Sequence, residues 1–203
     1  MGLEEVIFIP AAAPPHKTGV EIIEASHRFE MIRLAIRTNP HFSVSDAEIN
    51  RRGKSYSVDT ILQYGQIDPA SLYFILGEDA FREIETWKKY QVLFSLCHFV
   101  VMTRPNREAK RRAFRPPDSL VPFFRYDPDL GAWIHESGRR LFFKEITLLD
   151  ISSTAIRERI LEGASVRYLL PPEVEAYIRG NGLYRHTHSR GEGVFPFRRK
   201  KGK

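Results

Sequence analysis

The sequence predicts an α/β fold, a doubly wound parallel sheet, and three observations predict it. Short continuous apolar runs recur along the chain, the pattern of strands buried on both faces. Stretches with helical spacing of apolar residues separate them. The runs end in polar or charged residues, and open α/β sheets bind ligands outside the carboxyl ends of their strands.

In chain order, Val6-Ile7-Phe8-Ile9 reads as a buried parallel strand ending at Pro10, followed by a loop containing Ala11 to Gly19. Ser26 to Thr38 reads as a helix with Phe29, Ile32 and Ile36 on one face. Phe42 to Ile49 follows as strand and Val58 to Gln66 as helix. Leu72-Tyr73-Phe74-Ile75-Leu76 is a clear buried strand, stopping at Gly77-Glu78-Asp79 before a helix from Ala80. His98 to Met102 is another, ending at Thr103-Arg104-Pro105. Residues 106–140 are weakly patterned and read as an irregular insert or a short helix. Phe142 to Leu149 supplies a further strand, and Thr154 to Glu162 a helix stopped by Gly163. Pro171-Pro172 opens a last helix, Glu173 to Arg179, closed by Gly180-Asn181-Gly182. Residues 1–185 thus form one domain, and 186–203 a basic, disordered tail.

Composition narrows the function classes. The 203 residues, 42% hydrophobic and 28% charged, describe an ordinary soluble protein. The net charge is +6, but five of the last six residues are cations, and Arg107, Lys110, Arg111, Arg112 and Arg115 form a second basic cluster. Without the tail the body is close to neutral, so the charge does not by itself mark a nucleic-acid protein. Aromatic residues interleave the tail only at Phe195 and Phe197, which argues against RNA binding. Cys97 is the only cysteine, so no intrachain disulfide and no thiolate metal cluster can form. It reads as a buried structural thiol in a reduced compartment. No apolar stretch approaches the ~20 residues that span a bilayer. The acidic start, Glu4 and Glu5, is not that of a secretory signal, and the expected location is the cytoplasm.

The strand ends carry the chemistry. They deliver Pro14-Pro15-His16-Lys17, Gly77-Glu78-Asp79, Arg104 and Ser152-Ser153-Thr154, which together read as a binding crevice. A helix opening on three hydroxyl residues offers unpaired N–H groups at its positive end, where phosphates bind. Arg157 lies three residues after Thr154, on the same face, and can fork onto a phosphate oxygen. The plainer alternative is a capped helix with a surface arginine. Lys17 and Arg104 add positive charge suited to a polyphosphate. Asp79 suits a ribose hydroxyl or a metal-bound water, or else caps the helix from Ala80. Trp87 is a core anchor or a stacking platform, and Ser55-Tyr56-Ser57 a turn that caps the next helix. Glycine-rich nucleotide motifs, His-Glu-x-x-His and Gly-x-Ser-x-Gly are all absent, and His186-x-His188 lies in the polar tail. With no covalent nucleophile in view, phosphoryl or nucleotidyl transfer by positioning and charge stabilisation fits these residues.

Taken together, the motifs resemble a family. Ile9-Pro10 with Pro14-Pro15-His16-Lys17, Ser55-Tyr56-Ser57-Val58-Asp59-Thr60, and Phe74-Ile75-Leu76-Gly77-Glu78-Asp79 with Trp87 resemble bacterial nicotinate-nucleotide adenylyltransferases of the nucleotidylyltransferase superfamily. Thr103-Arg104-Pro105, Ile151-Ser152-Ser153-Thr154-Ala155-Ile156-Arg157 and the closing Leu169-Leu170-Pro171 through Tyr184 continue the match. The resemblance implies a Rossmann-like sheet and transfer of the adenylyl group of ATP, with Mg2+, to nicotinate mononucleotide. In such enzymes the mononucleotide phosphate attacks in line, with no covalent enzyme intermediate. Carried over, Ser152, Ser153, Thr154, Arg157 and Arg104 would bind ATP. Trp87 would stack on the nicotinate ring, and backbone near Ser57 and Lys88 would meet its carboxylate. Gly77 and Asp79 would border the ribose, and His16 and Lys17 the phosphate side. Ser57 stands where the family usually has threonine. Family members also open with a strand, a Gly-x-Phe-x-Pro-x-His-x-Gly-His loop and a helix, on the order of 25 residues, that are missing here. The catalytic histidines therefore have no counterpart in this sequence. The expectation is a misplaced start or a truncated chain. The alternatives to the adenylyltransferase are a catalytically impaired nucleotide-binding protein, if Met1 is the true start, or a pantetheine-phosphate adenylyltransferase-like enzyme, the last disfavoured by Trp87 and Ser55-Tyr56-Ser57.

Overall fold

A computed structural model describes residues 2–13, 22–65, 72–104, 114–147 and 149–185. In chain order the elements are β1 (Val6–Phe8), α1 (Ala25–Ile36), β2 (Phe42–Val44), α2 (Ser57–Gly65), β3 (Tyr73–Gly77) and α3 (Glu78–Arg82). There follow α4 (Tyr90–Leu96), β4 (His98–Thr103), β5 (Phe124–Asp127), β6 (Ala132–His135), β7 (Arg140–Glu145), α5 (Ser153–Leu161) and α6 (Pro172–Gly180). The chain forms two compact units, residues 1–150 and 151–203.

In the first unit the apolar runs become β3 and β4, paired in parallel from Tyr73 opposite His98 to Gly77 opposite Met102. β4 is buried on both faces, which is why it reads as an unbroken apolar run. Phe99 and Val101 join the main core with Ile84, Leu93, Phe94, Leu120 and Leu141. Val100 joins a smaller cluster with Ala132 and Phe142. Phe94 stacks on Phe99 with ring centroids 4.4 Å apart.

Several expectations are corrected. The α/β class and the parallel pairing of β3, β4 and β7 hold, but the whole sheet is mixed, in the order β3-β4-β7-β6-β5, with β5 and β6 antiparallel. Residues 124–135, expected as irregular or helical, form the β5–β6 hairpin, whose turn places Gly131 at φ +58. β1 and β2 pair in parallel as a separate two-stranded sheet, and no described strand links them to β3. β1 is consequently not buried, and Ile7 is 39% exposed. α1 buries none of its residues fully, so Phe29, Ile32 and Ile36 form only a half-buried face. β7 ends at Glu145, not at Leu149, because its partner β4 ends opposite it at Thr103. Leu149 beyond it is 71% exposed.

The second unit holds α5 and α6, with Ile156, Val166, Val174, Ile178 and Leu183 buried. The division between Asp150 and Ile151 precedes α5. The tail expected from 186 onward lies outside the described residues. No described helix is long and apolar enough to cross a membrane.

Candidate active site

The carboxyl ends of β3 and β4 create the first part of the site. Gly77 and Met102 are paired, so Asp79 and Arg104, each two residues further on, emerge side by side. Their charged groups lie 3.6 Å apart, 84% and 68% exposed respectively. So exposed a pair is worth roughly 0–1 kcal/mol, so either side chain can turn to a ligand at little cost. Asp79 does not cap its helix: α3 begins at Glu78, with Gly77 at the cap position and no side-chain cap bond. Gly77 has φ −77, open to any residue, and an added Cβ would meet nothing within 4 Å. Its value here is free space above the strand end, not a special turn.

A second part gathers where α2 meets the segment before α4. α2 starts at Ser57, one residue earlier than expected, with the Tyr56 carbonyl accepting from the N–H groups of Asp59 and Thr60. Trp87 is partly buried, packs on the core and meets Phe74 edge-on at 6.1 Å. It is therefore anchor and accessible surface at once. Next to it, Lys88 Nζ donates to Asp59 Oδ2 at 3.0 Å and Oδ1 at 3.3 Å, and lies 4.4 Å from the centre of the Tyr56 ring. Asp59 and Tyr56 stood in the quoted motif without a role of their own: an acidic residue in a first helical turn also reads as complement to the helix dipole.

Just before α2, Ser55 is buried, and its role exceeds the turn it suggested. Its Oγ accepts the N–H groups of Ala12 at 2.9 Å and Ala13 at 3.3 Å, while its own N–H donates to the Ala13 carbonyl at 3.0 Å. Arg28 Nη2 donates to the Ala12 carbonyl. These bonds fix the chain where it enters the segment of His16 and Lys17, two predicted site residues outside the described residues.

In the second unit, Ser152 is the N-cap of α5, and its Oγ accepts the Ala155 N–H at 3.1 Å. Ser153 and Thr154 form the exposed first turn, and Arg157 Nη2 donates to Thr154 Oγ1 at 3.3 Å. Guanidinium, hydroxyls and unpaired first-turn N–H groups thus share one helix end, as the spacing implied. Ser152 does not follow directly from a strand, since β7 ends at Glu145.

Among the described residues no group of three or more His, Cys, Asp or Glu side chains gathers to hold a metal. Cys97 is fully buried, its Sγ directed at the Leu93 carbonyl, and burial pushes its thiol up to about 12. A thiol held neutral in this way is no nucleophile at neutral pH.

The cytidylyltransferase-like family model matches residues 1–159. A probable nicotinate-nucleotide adenylyltransferase of Citrifermentans bemidjiense is 43% identical over 183 residues, covering 90% of this chain and 85% of that protein. Another, from Desulfitobacterium hafniense, is 44% identical over 184 residues, 90% of this chain and 82% of that one. Among solved structures, the Plasmodium falciparum nicotinic acid mononucleotide adenylyltransferase complexed with NaAD superposes with a TM-score of 0.60 at 17% identity. That match covers 89% of this chain and 82% of the other, and the same enzyme complexed with APC superposes equally well. At such identity the structural likeness is one of fold.

Proposed function

We propose that this chain, which belongs to the cytidylyltransferase-like family and within it to the nicotinate-nucleotide adenylyltransferases, transfers the adenylyl group of ATP to nicotinate mononucleotide. The products are nicotinate adenine dinucleotide and pyrophosphate, and the reaction belongs to NAD biosynthesis in the cytoplasm. The observation that carries this reading is Trp87, partly buried beside Lys88 and the N-terminus of α2, within a chain more than 40% identical to its relatives over 90% of its length. An aromatic plate next to a cation and free helical N–H groups suits a ring that bears a carboxylate. A pantetheine phosphate offers no such ring.

The residues divide the work. The Ser152 and Thr154 hydroxyls, the first-turn N–H groups at Ser153 and the Arg157 guanidinium receive the ATP phosphates. Asp79 accepts from a ribose hydroxyl, while N–H groups near Ser57 and Lys88 receive the nicotinate carboxylate. His16 and Lys17 border the phosphate to be adenylated. Magnesium, bound with ATP, neutralises phosphate charge; it commonly takes its ligands from phosphates and waters with few from protein, so the described residues need not cage it. The acceptor phosphate attacks the α-phosphate of ATP, the bond to pyrophosphate breaks, and the protein contributes position and positive charge.

The alternative reading is nucleotide binding without turnover. Incubating the chain with Mg2+-ATP and nicotinate mononucleotide, nicotinamide mononucleotide or pantetheine phosphate, and measuring pyrophosphate, separates the readings. Release with nicotinate mononucleotide is the expected result. Binding of both substrates without release selects the second reading, and release only with pantetheine phosphate refutes the first.

A further inference from the structure

We propose that Asp59 is a positioning residue: through Lys88 it ties the N-terminus of α2 to the Trp87–Lys89 turn and thereby sets the affinity for the pyridine half of the mononucleotide. The inference rests on the function proposed above and assigns a role to a residue outside its contact set. The groups suited to the pyridine ring and its carboxylate come from two elements far apart in sequence, Ser57 on α2 and Trp87-Lys88 before α4. They serve one ligand only if the two elements keep a fixed spacing. The Lys88–Asp59 ion pair and the Lys88–Tyr56 contact bridge that spacing, 29 residues apart in sequence in the case of Asp59.

The turn itself needs holding. Trp87 is extended at φ −81, ψ 147, and Lys89 directly after Lys88 sits in the left-handed region at φ 53. A side chain other than glycine is strained there, and such a conformation persists only where the surroundings fix it. Tyr90 N–H to the Trp87 carbonyl at 3.2 Å closes the turn locally. Lys88 secures it from outside, its flexible stem fixed at the tip between a carboxylate and an aromatic face. Asp59 touches no reacting group in this arrangement; its effect passes through Lys88.

The test measures binding of nicotinate mononucleotide and of Mg2+-ATP by calorimetry on the full chain and on Asp59→Asn, Asp59→Glu and Lys88→Met. The pair is about 40% exposed on each side, so its loss is expected to weaken mononucleotide binding about three- to fivefold. ATP affinity and melting temperature stay as in the parent, and Asp59→Glu recovers most of the loss. The double variant Asp59→Asn/Lys88→Met is no weaker than the worse single one, because both remove the same link. Mononucleotide affinity unchanged in Asp59→Asn, or an equal loss for both ligands, overturns the proposal and leaves the function standing. A parent chain that binds ATP and no mononucleotide overturns both.

Discussion

Replacing Ser55 by alanine tests how the chain at Ala12 and Ala13 is held. The change removes one hydroxyl that accepts two N–H groups, from Ala12 and Ala13, and leaves the Ser55 N–H bond to the Ala13 carbonyl in place. The two lost bonds are not equivalent. Ala13 is exposed, so water can replace its partner; Ala12 is partly buried, and its N–H is left unsatisfied. An orphaned buried donor costs about 1–3 kcal/mol and a solvent-replaced bond much less, which places the total near 1–2 kcal/mol. For a protein of this size that lowers the melting temperature by roughly 2–8 °C. Thermal unfolding followed by circular dichroism gives the first readout and mononucleotide affinity the second, since His16 and Lys17 follow Ala13 closely in the sequence. A melting temperature within 1 °C of the parent, with affinity intact, would refute the claim that Ser55 organises this loop.

Other predictions follow from the same geometry. Trp87→Ala should weaken nicotinate mononucleotide binding while sparing ATP, and also destabilise by about 1–3 kcal/mol because the ring packs on Phe74 and the core. Trp87→Phe should restore most of the stability and part of the affinity, as denaturant melts and calorimetry would reveal. Arg157→Ala should weaken ATP binding several-fold and leave the mononucleotide alone; the reverse pattern would invert the site map. Cys97 should resist thiol reagents in the native state. Its native thiol is raised from 9.0 to about 12, so the unfolded chain loses its proton first, and stability should fall as pH climbs above 9. His135, held below its usual 6.5 by burial, acts at the other end: the unfolded chain takes up the proton first, so stability should decline below about pH 6.5. Urea titrations across pH measure both.

How much of this was legible in the sequence depends on how local each signal is. β3 and β4 were readable because both faces of β4 are buried, so the apolar run is unbroken. The α5 cap was readable because hydroxyl, helix and arginine lie within six residues. The β5–β6 hairpin was missed because its strands are four residues each, with Arg125 and Tyr126 exposed on the outer strand, and its Pro128–Gly131 turn mimics an irregular loop. The end of β7 was overrun because Ile146 and Leu149 prolong the apolar pattern after β4 has stopped supplying a partner. α4, only seven residues long, gave too little periodicity to register. The bonds of Asp59 and Ser55 were not legible for a common reason: their partners, Lys88 and Ala12, lie 29 and 43 residues away. Pattern within a segment says nothing of such pairs.

The claim at the centre is direct adenylyl transfer between two substrates held by these residues, with the protein itself never adenylylated. Single-turnover incubation with Mg2+ and ATP labelled at the α-phosphate, with nicotinate mononucleotide present, tests it most directly. The label should appear in nicotinate adenine dinucleotide, with none attached to protein. Label retained on the protein, or absent from any dinucleotide, would contradict the account.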